Sequence, residues 1–525
     1  MASGTVYLVG AGPGDPGCLT LRGRDCLGRA DVVVYDYLAN PELLRHAPAR
    51  AERVFAGKHG RGPRLLEQDE INRLLVERAR AGQTVVRLKG GDPMVFGRGG
   101  EEAEALVAAG VPFEVVPGVT AALAVPAFAG IPVTHRDWVS GVTVVTGHEA
   151  EHESRVRWDR IATAGNTIVL MMGVTQIRPN LEGLLAAGLP PDTPGAAVRW
   201  GGTPRQQVVT AAASDLARSV ESAGLRPPVT IVLGPTVRLH DRLDWFARRP
   251  LFGRRIVVTR ARAQASRFAA LLAERGAEVV ECPAIEIAPP DSYDALDRAI
   301  DRLDGYDWVL FTSVNGVDRF FDRLDERGVD VRALHRARIA AIGPETARSL
   351  SRLHLRSAVV PDDFRAEGLI AALSAESLAG ARVLLPRAAG AREILPRELE
   401  RLGAEVEEVV TYRSVRPPES AAILHDALAA GPVDAVAFTS SSTVRGFLAL
   451  LAEVDPSHQR LDLARVAVAC IGPVTADTAR EAGLSVAIVA ESYTVPALAT
   501  AIERHFADAA DAARNPASAG SGDVA

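Results

Sequence analysis

The chain has 525 residues, 47% of them hydrophobic and 24% charged, with a formal net charge of −6. That length holds roughly three or four domains of about 150 residues each, in the balance usual for a globular protein. The acidic charge leaves no basic field for nucleic acid, and four scattered cysteines, Cys18, Cys26, Cys282 and Cys470, make neither a disulfide framework nor a zinc site and fit reduced, cytoplasmic thiols.

The first predicted strand, TVYLVG, runs into the glycine-rich turn AGPGDPG, which ends at Gly17. The strands DVVVYD, TVVRLKGG, FEVVPG, GVTVVTG, NTIVLMMG and TIVLGP follow, separated by Ala/Leu/Arg/Glu-rich helical stretches. Continuous apolar strands with helices between them predict α/β architecture, with parallel sheets covered on both faces. In such folds ligands bind beyond the C-terminal strand ends, where glycine and polar residues follow nearly every strand here. The longest apolar run, AALAVPAFAGI (121–131), contains a proline and is too short to span a bilayer. The N-terminus lacks the pattern of a signal peptide. No membrane partner is expected.

A boundary is predicted near RRPLFGRR (248–255), after which a fresh strand, RIVVTR, begins. From there the sequence repeats itself. IVVTRARAQASRFAALLAERGAEV parallels VLLPRAAGAREILPRELERLGAEV, FTSVNGV parallels FTSSSTV, and IGPETA parallels IGPVTA. An offset of 127 residues separates Arg260 from Arg387 and Phe311 from Phe438, and 129 separates Gly343 from Gly472. Three motifs in one order at offsets of 127 to 129 residues indicate a pseudo-duplicated pair of α/β lobes across a cleft. The Ala/Ser/Gly/Asp-rich end is expected to be a disordered tail, 509–525.

The first turn raises a chemical question. Gly10 and Gly12 fit the G-x-G-x-x-G loop that cradles a pyrophosphate, but Asp15 stands where the third glycine belongs. Pro13 offers no N–H, and an acid in a phosphate nest repels its ligand. The turns RLKGGDPMVFGRGGEE (87–102), VVPGVTAALA (115–124) and VLMMGV (169–174) likewise place few donors for phosphate. They suit a ligand with an adenosine, an amino-acid end and no phosphate. Asp36, 24 residues after Gly12, has the alternative reading of a ribose-binding acid, and Lys58 that of a solvated surface lysine.

GAGPGDPGCLTLRG, VVYDYL, VRLKGGDPMVFGRGGEE, VPGVTA, GIPVTHRD, VTGH and DRLDWF resemble, in order, the tetrapyrrole methylases, and among them uroporphyrinogen-III C-methyltransferase. The resemblance covers roughly residues 4–247. It implies two α/β subdomains, about 1–115 and 116–248, with the cofactor between them. S-adenosylmethionine is then the methyl donor and uroporphyrinogen III the acceptor, giving precorrin-2 by methylation at C-2 and C-7. Pro13, Gly90, Gly91, Asp92, Val95, Thr120, Ala121, Met172 and Gly201 match cofactor-pocket positions. Asp36 matches the proposed proton acceptor and Lys58 the proposed proton donor. Arg98, His135 and Arg136 sit in loops expected at the cleft, where arginine pairs well with a substrate rich in carboxylates; surface salt bridges are the alternative. Trp200 and Gly202 depart from the family pattern, and Met172 is equally readable as core packing. Methyl transfer to carbon calls for no metal, and the methylases are usually homodimers.

The second half resembles uroporphyrinogen-III synthase over roughly 251–508, through VTRARAQA, PAIEI, FTSVNGV, IGPETA, LPRAAGAREILPREL, VVTYRSVRP, FTSSSTVRGF and IGPVTA. The resemblance implies lobe one at about 251–287 plus 414–508 and lobe two at about 288–413. It also implies closure of hydroxymethylbilane to uroporphyrinogen III with inversion of the D ring, without a cofactor. Tyr412 matches the tyrosine thought to help the hydroxyl leave. Ser313, Thr346, Thr439, Ser440 and Thr475 are candidate substrate contacts or, equally, helix caps. Arg260 and Arg387 either bind substrate carboxylates or brace the lobes. Together the resemblances imply a bifunctional enzyme of cobalamin or sirohaem synthesis. The methylase pattern begins at the first strand, so no dehydrogenase and ferrochelatase module is expected ahead of it. The alternatives are another precorrin methyltransferase fused to an inactive synthase-like domain, or a tetrapyrrole-binding regulator.

Overall fold

The computed structural model describes residues 4–57, 66–148, 156–260, 262–457 and 460–514. They divide into two compact units, one formed by residues of 1–254, 272–278 and 506–525, the other by residues of 255–271 and 279–505.

The first unit holds two sheets. Strands β1 (Val6–Gly10), β2 (Val32–Tyr35), β3 (Glu52–Phe55), β4 (Val85–Lys89) and β5 (Phe113–Val116) form a five-stranded sheet in the order β3-β2-β4-β1-β5. Every pairing in it is parallel. Side chains alternate across the pleat, so Val9, Val33 and Leu88 join a core on one face, while Leu8, Val34 and Val85 join a core on the other. Both faces are covered, which is why these strands read as unbroken apolar runs.

The second sheet departs from the parallel expectation. Its strands are β6 (Val142–Thr146), β7 (Thr167–Met171), β8 (Pro194–Arg199), β9 (Gln207–Ala212) and β10 (Val229–Leu233), in the order β6-β7-β10-β8-β9. Only β6 and β7 run parallel; the β7–β10, β10–β8 and β8–β9 pairs are antiparallel. The turn between β8 and β9 is too short for the crossover that parallel strands require.

The second unit uses β11 (Arg255–Val258), β12 (Glu278–Glu281), β13 (Glu286–Ala288), β14 (Trp308–Phe311), β15 (Arg338–Ala341), β16 (Arg382–Ala388), β17 (Glu405–Val415), β18 (Ala435–Phe438), β19 (Ala467–Cys470) and β20 (Val486–Val489). They form two sheets, β12-β11-β18-β19-β20 and β13-β17-β16-β14-β15. The repeats occupy equivalent places. FTS closes β14 and β18, each feeding a helix capped by a serine, Ser313 or Ser440. IGP follows β15 and β19 and opens the helices Pro344–Arg352 and Pro473–Glu481. The last helix, Val495–Arg514, extends into the stretch expected to be a disordered tail; its alanine content favours helix over coil.

Candidate functional site

In the first unit the turns after the parallel strands converge on a cleft of about 640 Å³. The Ala11 and Gly12 amides of the glycine turn are engaged by backbone and not presented to a ligand. Gly12 and Gly91 exchange both backbone hydrogen bonds, at 3.1 and 2.8 Å, and the Ala11 N–H donates to the Lys89 carbonyl at 2.7 Å. The turns after β1 and β4 are thus zipped together. Asp92 ties in the third turn: its Oδ2 accepts from the Gly118 N–H and its Oδ1 from the Met94 N–H, both at 2.8 Å. Asp15 closes its own turn by accepting from the Gly17 N–H at 2.7 Å. Glycine is required where the turns touch. A Cβ on Gly118 would stand 2.3 Å from the Gly91 carbonyl oxygen, and one on Gly10 would stand 2.5 Å from the Gly118 Cα.

Every lysine and arginine lining the cleft among the described residues is already paired. Arg87 and Lys89 meet Glu102 at 3.1 and 2.7 Å. Arg98 makes a bidentate pair with Glu101 at 2.8 and 2.7 Å; these hydrogen bonds hold the Arg98 guanidinium above, and the Glu101 carboxyl below, their ordinary ranges. With turn amides and cations engaged internally, and Pro13, Asp36 and Asp92 on the wall, the donor set is poor for phosphate. It fits a neutral or cationic ligand such as a sulfonium nucleoside.

The wall is also strained. Phe96, Arg98, Met172 and Trp200 have φ of +54°, +57°, +57° and +51°, and all four line the cleft. Non-glycine residues seldom adopt this left-handed region, and such outliers gather at functional sites.

All nine positions expected at the cofactor pocket line this one cleft: Pro13, Gly90, Gly91, Asp92, Val95, Thr120, Ala121, Met172 and Gly201. Asp36 and Arg98 line it too. Asp36 follows β2; its Oδ1 accepts from the Leu38 N–H at 3.0 Å and its Oδ2 from Arg87 at 3.3 Å. Met172 is 49% exposed, so it is a wall residue and not core packing. Lys58 lies outside the described residues. His135 and Arg136 are not brought to the wall: His135 bridges to Val139 and packs against Trp138, with ring centroids 5.0 Å apart, and Arg136 is exposed beside it. Sequence reasoning missed Arg87, Lys89, Gln68 and Glu102. Their signal was two cations inside a strand too apolar to be exposed.

In the second unit a cavity of about 380 Å³ is lined by Thr312, Arg387 and Arg392 from one lobe and by Asp477 and Thr478 from the other, with Phe364 and Arg365 completing it. Of the expected substrate positions, Arg387 alone is on this wall. It is almost fully buried, pairs with Glu408 at 2.8 Å and donates to the Arg392 carbonyl, both within its own lobe, while its Nε has no hydrogen-bond partner. Tyr412 is buried, and its hydroxyl meets the Ser313 hydroxyl at 3.1 Å. Ser313 and Ser440 act as caps, accepting from the Gly316 and Thr443 N–H groups, and the Thr439 N–H donates to the Thr443 hydroxyl at 3.3 Å. Thr346 and Thr475 are buried in the first turns of the IGP helices, whose glycine N-caps make no side-chain bond. Burial lowers the Arg260 guanidinium pKa, and the Glu345 charge opposes that. Arg365, Arg392, Asp477 and Thr478 were not anticipated, because no motif marks them out and the wall forms only where residues 312–395 meet residues 474–481.

Residues 5–217 match the family model of the tetrapyrrole (corrin/porphyrin) methylases, and residues 266–500 match that of uroporphyrinogen-III synthase HemD. The chain is 36% identical over 499 residues to the porphyrin biosynthesis protein HemD of Ruminiclostridium josui, covering 95% of this chain and 97% of that protein. It is 37% identical over 365 residues to a uroporphyrinogen-III C-methyltransferase of Bacillus subtilis, covering 69% of this chain and 74% of that one. It is 49% identical over 242 residues to the S-adenosyl-L-methionine-dependent uroporphyrinogen III methyltransferase of Methanosarcina barkeri, covering 46% of this chain and 94% of that one.

Proposed function

The chain belongs to the tetrapyrrole methylases through residues 5–217 and to the uroporphyrinogen-III synthases through residues 266–500, and on that premise we propose that it performs two consecutive steps of tetrapyrrole synthesis. Residues 251–508 cyclise hydroxymethylbilane to uroporphyrinogen III with inversion of the D ring. Residues 1–248 methylate that product at C-2 and C-7 to give precorrin-2, on the way to cobalamin or sirohaem. The observation that carries the methylase reading is the cleft at the strand ends, whose turn amides and cations are internally engaged.

S-adenosylmethionine supplies an electrophilic methyl group on sulfur when bound. The chain's own part is positioning, which contributes much of the rate of such a bimolecular transfer. The zipped turns of Gly90, Gly91 and Asp92, with Pro13, Val95, Thr120, Ala121, Met172 and Gly201, hold the donor. Asp36, with both oxygens already accepting hydrogen bonds, stays an acceptor for the proton lost from the alkylated ring. Lys58 is assigned proton donation. Arg98, on the cleft wall, is assigned to substrate carboxylates; His135 and Arg136, off that wall, are not.

In the second unit Tyr412 assists departure of the hydroxyl, with Ser313 orienting its phenol. Arg260, Thr346, Arg387, Thr439 and Thr475 are assigned to the folded linear substrate and the charge it develops, and Ser440 to capping its helix alone. On this reading the protein works in the cytoplasm and as a homodimer through the methylase unit. Among the described residues no helix is long and apolar enough to cross a membrane.

Incubation with hydroxymethylbilane and S-adenosylmethionine tests the reading. The expected product is a dimethylated macrocycle, with two S-adenosylhomocysteines released per ring. Absence of any dimethylated product overturns it.

A further inference from the structure

An ionic network runs from Asp36 through the cleft wall to Glu102, a residue that the chemistry above does not use. Glu102, in the helix Gly99–Ala108, is wholly buried. Its Oε1 accepts from Lys89 Nζ at 2.7 Å, Arg87 Nε at 3.1 Å and Gln68 Nε2 at 3.3 Å, while its Oε2 has no hydrogen-bond partner. The Arg87 side chain is 5% exposed and spans the network. One terminal nitrogen donates to the Val34 and Leu88 carbonyls, at 3.4 and 3.2 Å, and the other reaches Asp36 Oδ2 at 3.3 Å. The planar guanidinium is therefore held through Nε by Glu102 and meets Asp36 through one terminal nitrogen.

Charge balance makes Glu102 the keystone. Two cations, Arg87 and Lys89, face two carboxylates, Asp36 and Glu102. Burial depresses the Lys89 ammonium and the Arg87 charge adds to that, with Glu102 and then Asp36 opposing. A buried ion set like this is seldom more stable than an apolar one of the same shape, but removing one member leaves an uncompensated charge. Its contribution is better read as orientation. A rigid planar guanidinium held at its other nitrogens fixes the direction of the N–H that remains.

We propose that Glu102 is a positioning residue for methyl transfer: by clamping Arg87 and Lys89 it aims the Asp36 carboxylate into the cleft. The proposal rests on the reading of Asp36 as the proton acceptor. Glu102 touches neither substrate nor donor; it acts through Arg87.

A double-mutant cycle in the full chain tests this, with uroporphyrinogen III and S-adenosylmethionine supplied and cyclisation of hydroxymethylbilane by the same preparation as the folding control. Glu102→Gln is expected to lower the methylation kcat by about tenfold or more while the KM for S-adenosylmethionine changes less than about threefold. In an Asp36→Asn background the same substitution should lower the residual rate by less than about twofold, because residues acting as one unit are not additive. An equal loss in both backgrounds overturns the proposal, as does a Glu102→Gln enzyme within about twofold of the parent kcat. If Glu102→Gln does not fold, Arg87→Lys keeps the charge, loses the fork and should show the same non-additivity. A parent that methylates normally when Asp36 is changed sinks the Asp36 role and this proposal while leaving the methylase reading intact. A parent that yields no methylated product sinks that reading itself.

Discussion

Asp92 illustrates how much one side chain decides in the first unit. Its two oxygens hold two turn amides from different loops, so Asp92→Ala leaves both without a protein acceptor. That costs of the order of 1–3 kcal/mol, and binding of S-adenosylhomocysteine, measured by calorimetry, should weaken by at least tenfold. Asp92→Asn retains one acceptor oxygen and should fall between. Legibility differed sharply among residues. Pro13 and Asp15 look like defects in a dinucleotide loop, and that mismatch already pointed away from phosphate; the Gly12–Gly91 bridge supplies the physical cause. Glu102 was invisible, because a glutamate in GGEE looks like any solvated helix residue until Arg87 and Lys89 are seen to need a partner. The left-handed Phe96, Arg98, Met172 and Trp200 were equally hidden, since nothing in a bulky side chain announces a positive φ.

The duplicated strand–turn–helix segments of the second unit separate capping from chemistry. Ser313 and Ser440 cap equivalent helices, Val314–Glu326 and Ser441–Val454, and replacing either by alanine should cost about 1 kcal/mol of stability. Only Ser313 also meets the Tyr412 hydroxyl. Ser313→Ala should therefore slow cyclisation several-fold at matched stability, and Ser440→Ala should not; equal rates for the two would reduce Ser313 to a cap. Among strands, those buried on both faces were readable as apolar runs. The β8–β9 hairpin was not, because its flanks mix small and polar residues and its turn carries no Asn-Gly or Asp-Gly signal.

For the protein as a whole, Asp36→Asn should lower methylation to a small residual rate while leaving cyclisation intact, and Tyr412→Phe should slow cyclisation while leaving methylation of supplied uroporphyrinogen III unchanged. Product analysis with each substrate checks both. Stability against alkali follows from the buried thiols. Burial pushes Cys282 and Cys470 from their ordinary 9.0 to about 12, so between those values the unfolded chain gives up protons that the native chain keeps. The thiols' contribution to stability is intact below about pH 9 and falls as pH rises through that window. Lys89, depressed by burial, works in the opposite sense, since its burial becomes less costly as it loses its proton. Cys282→Ala with Cys470→Ala should flatten the fall in Tm between about pH 9 and 11, read from melts at several pH values. By itself the amino-acid sequence determined the α/β class, the internal repeat and the chemistry of the turns. Hydrophobic runs, glycines and prolines act locally, and they survive as patterns along the chain. Tertiary structure alone decided the mixed second sheet, the closed ladder between the glycine turns and the partners of Arg87 and Lys89. Those depend on groups far apart in sequence meeting in a dry interior, where each unpaired amide or charge must find a neighbour.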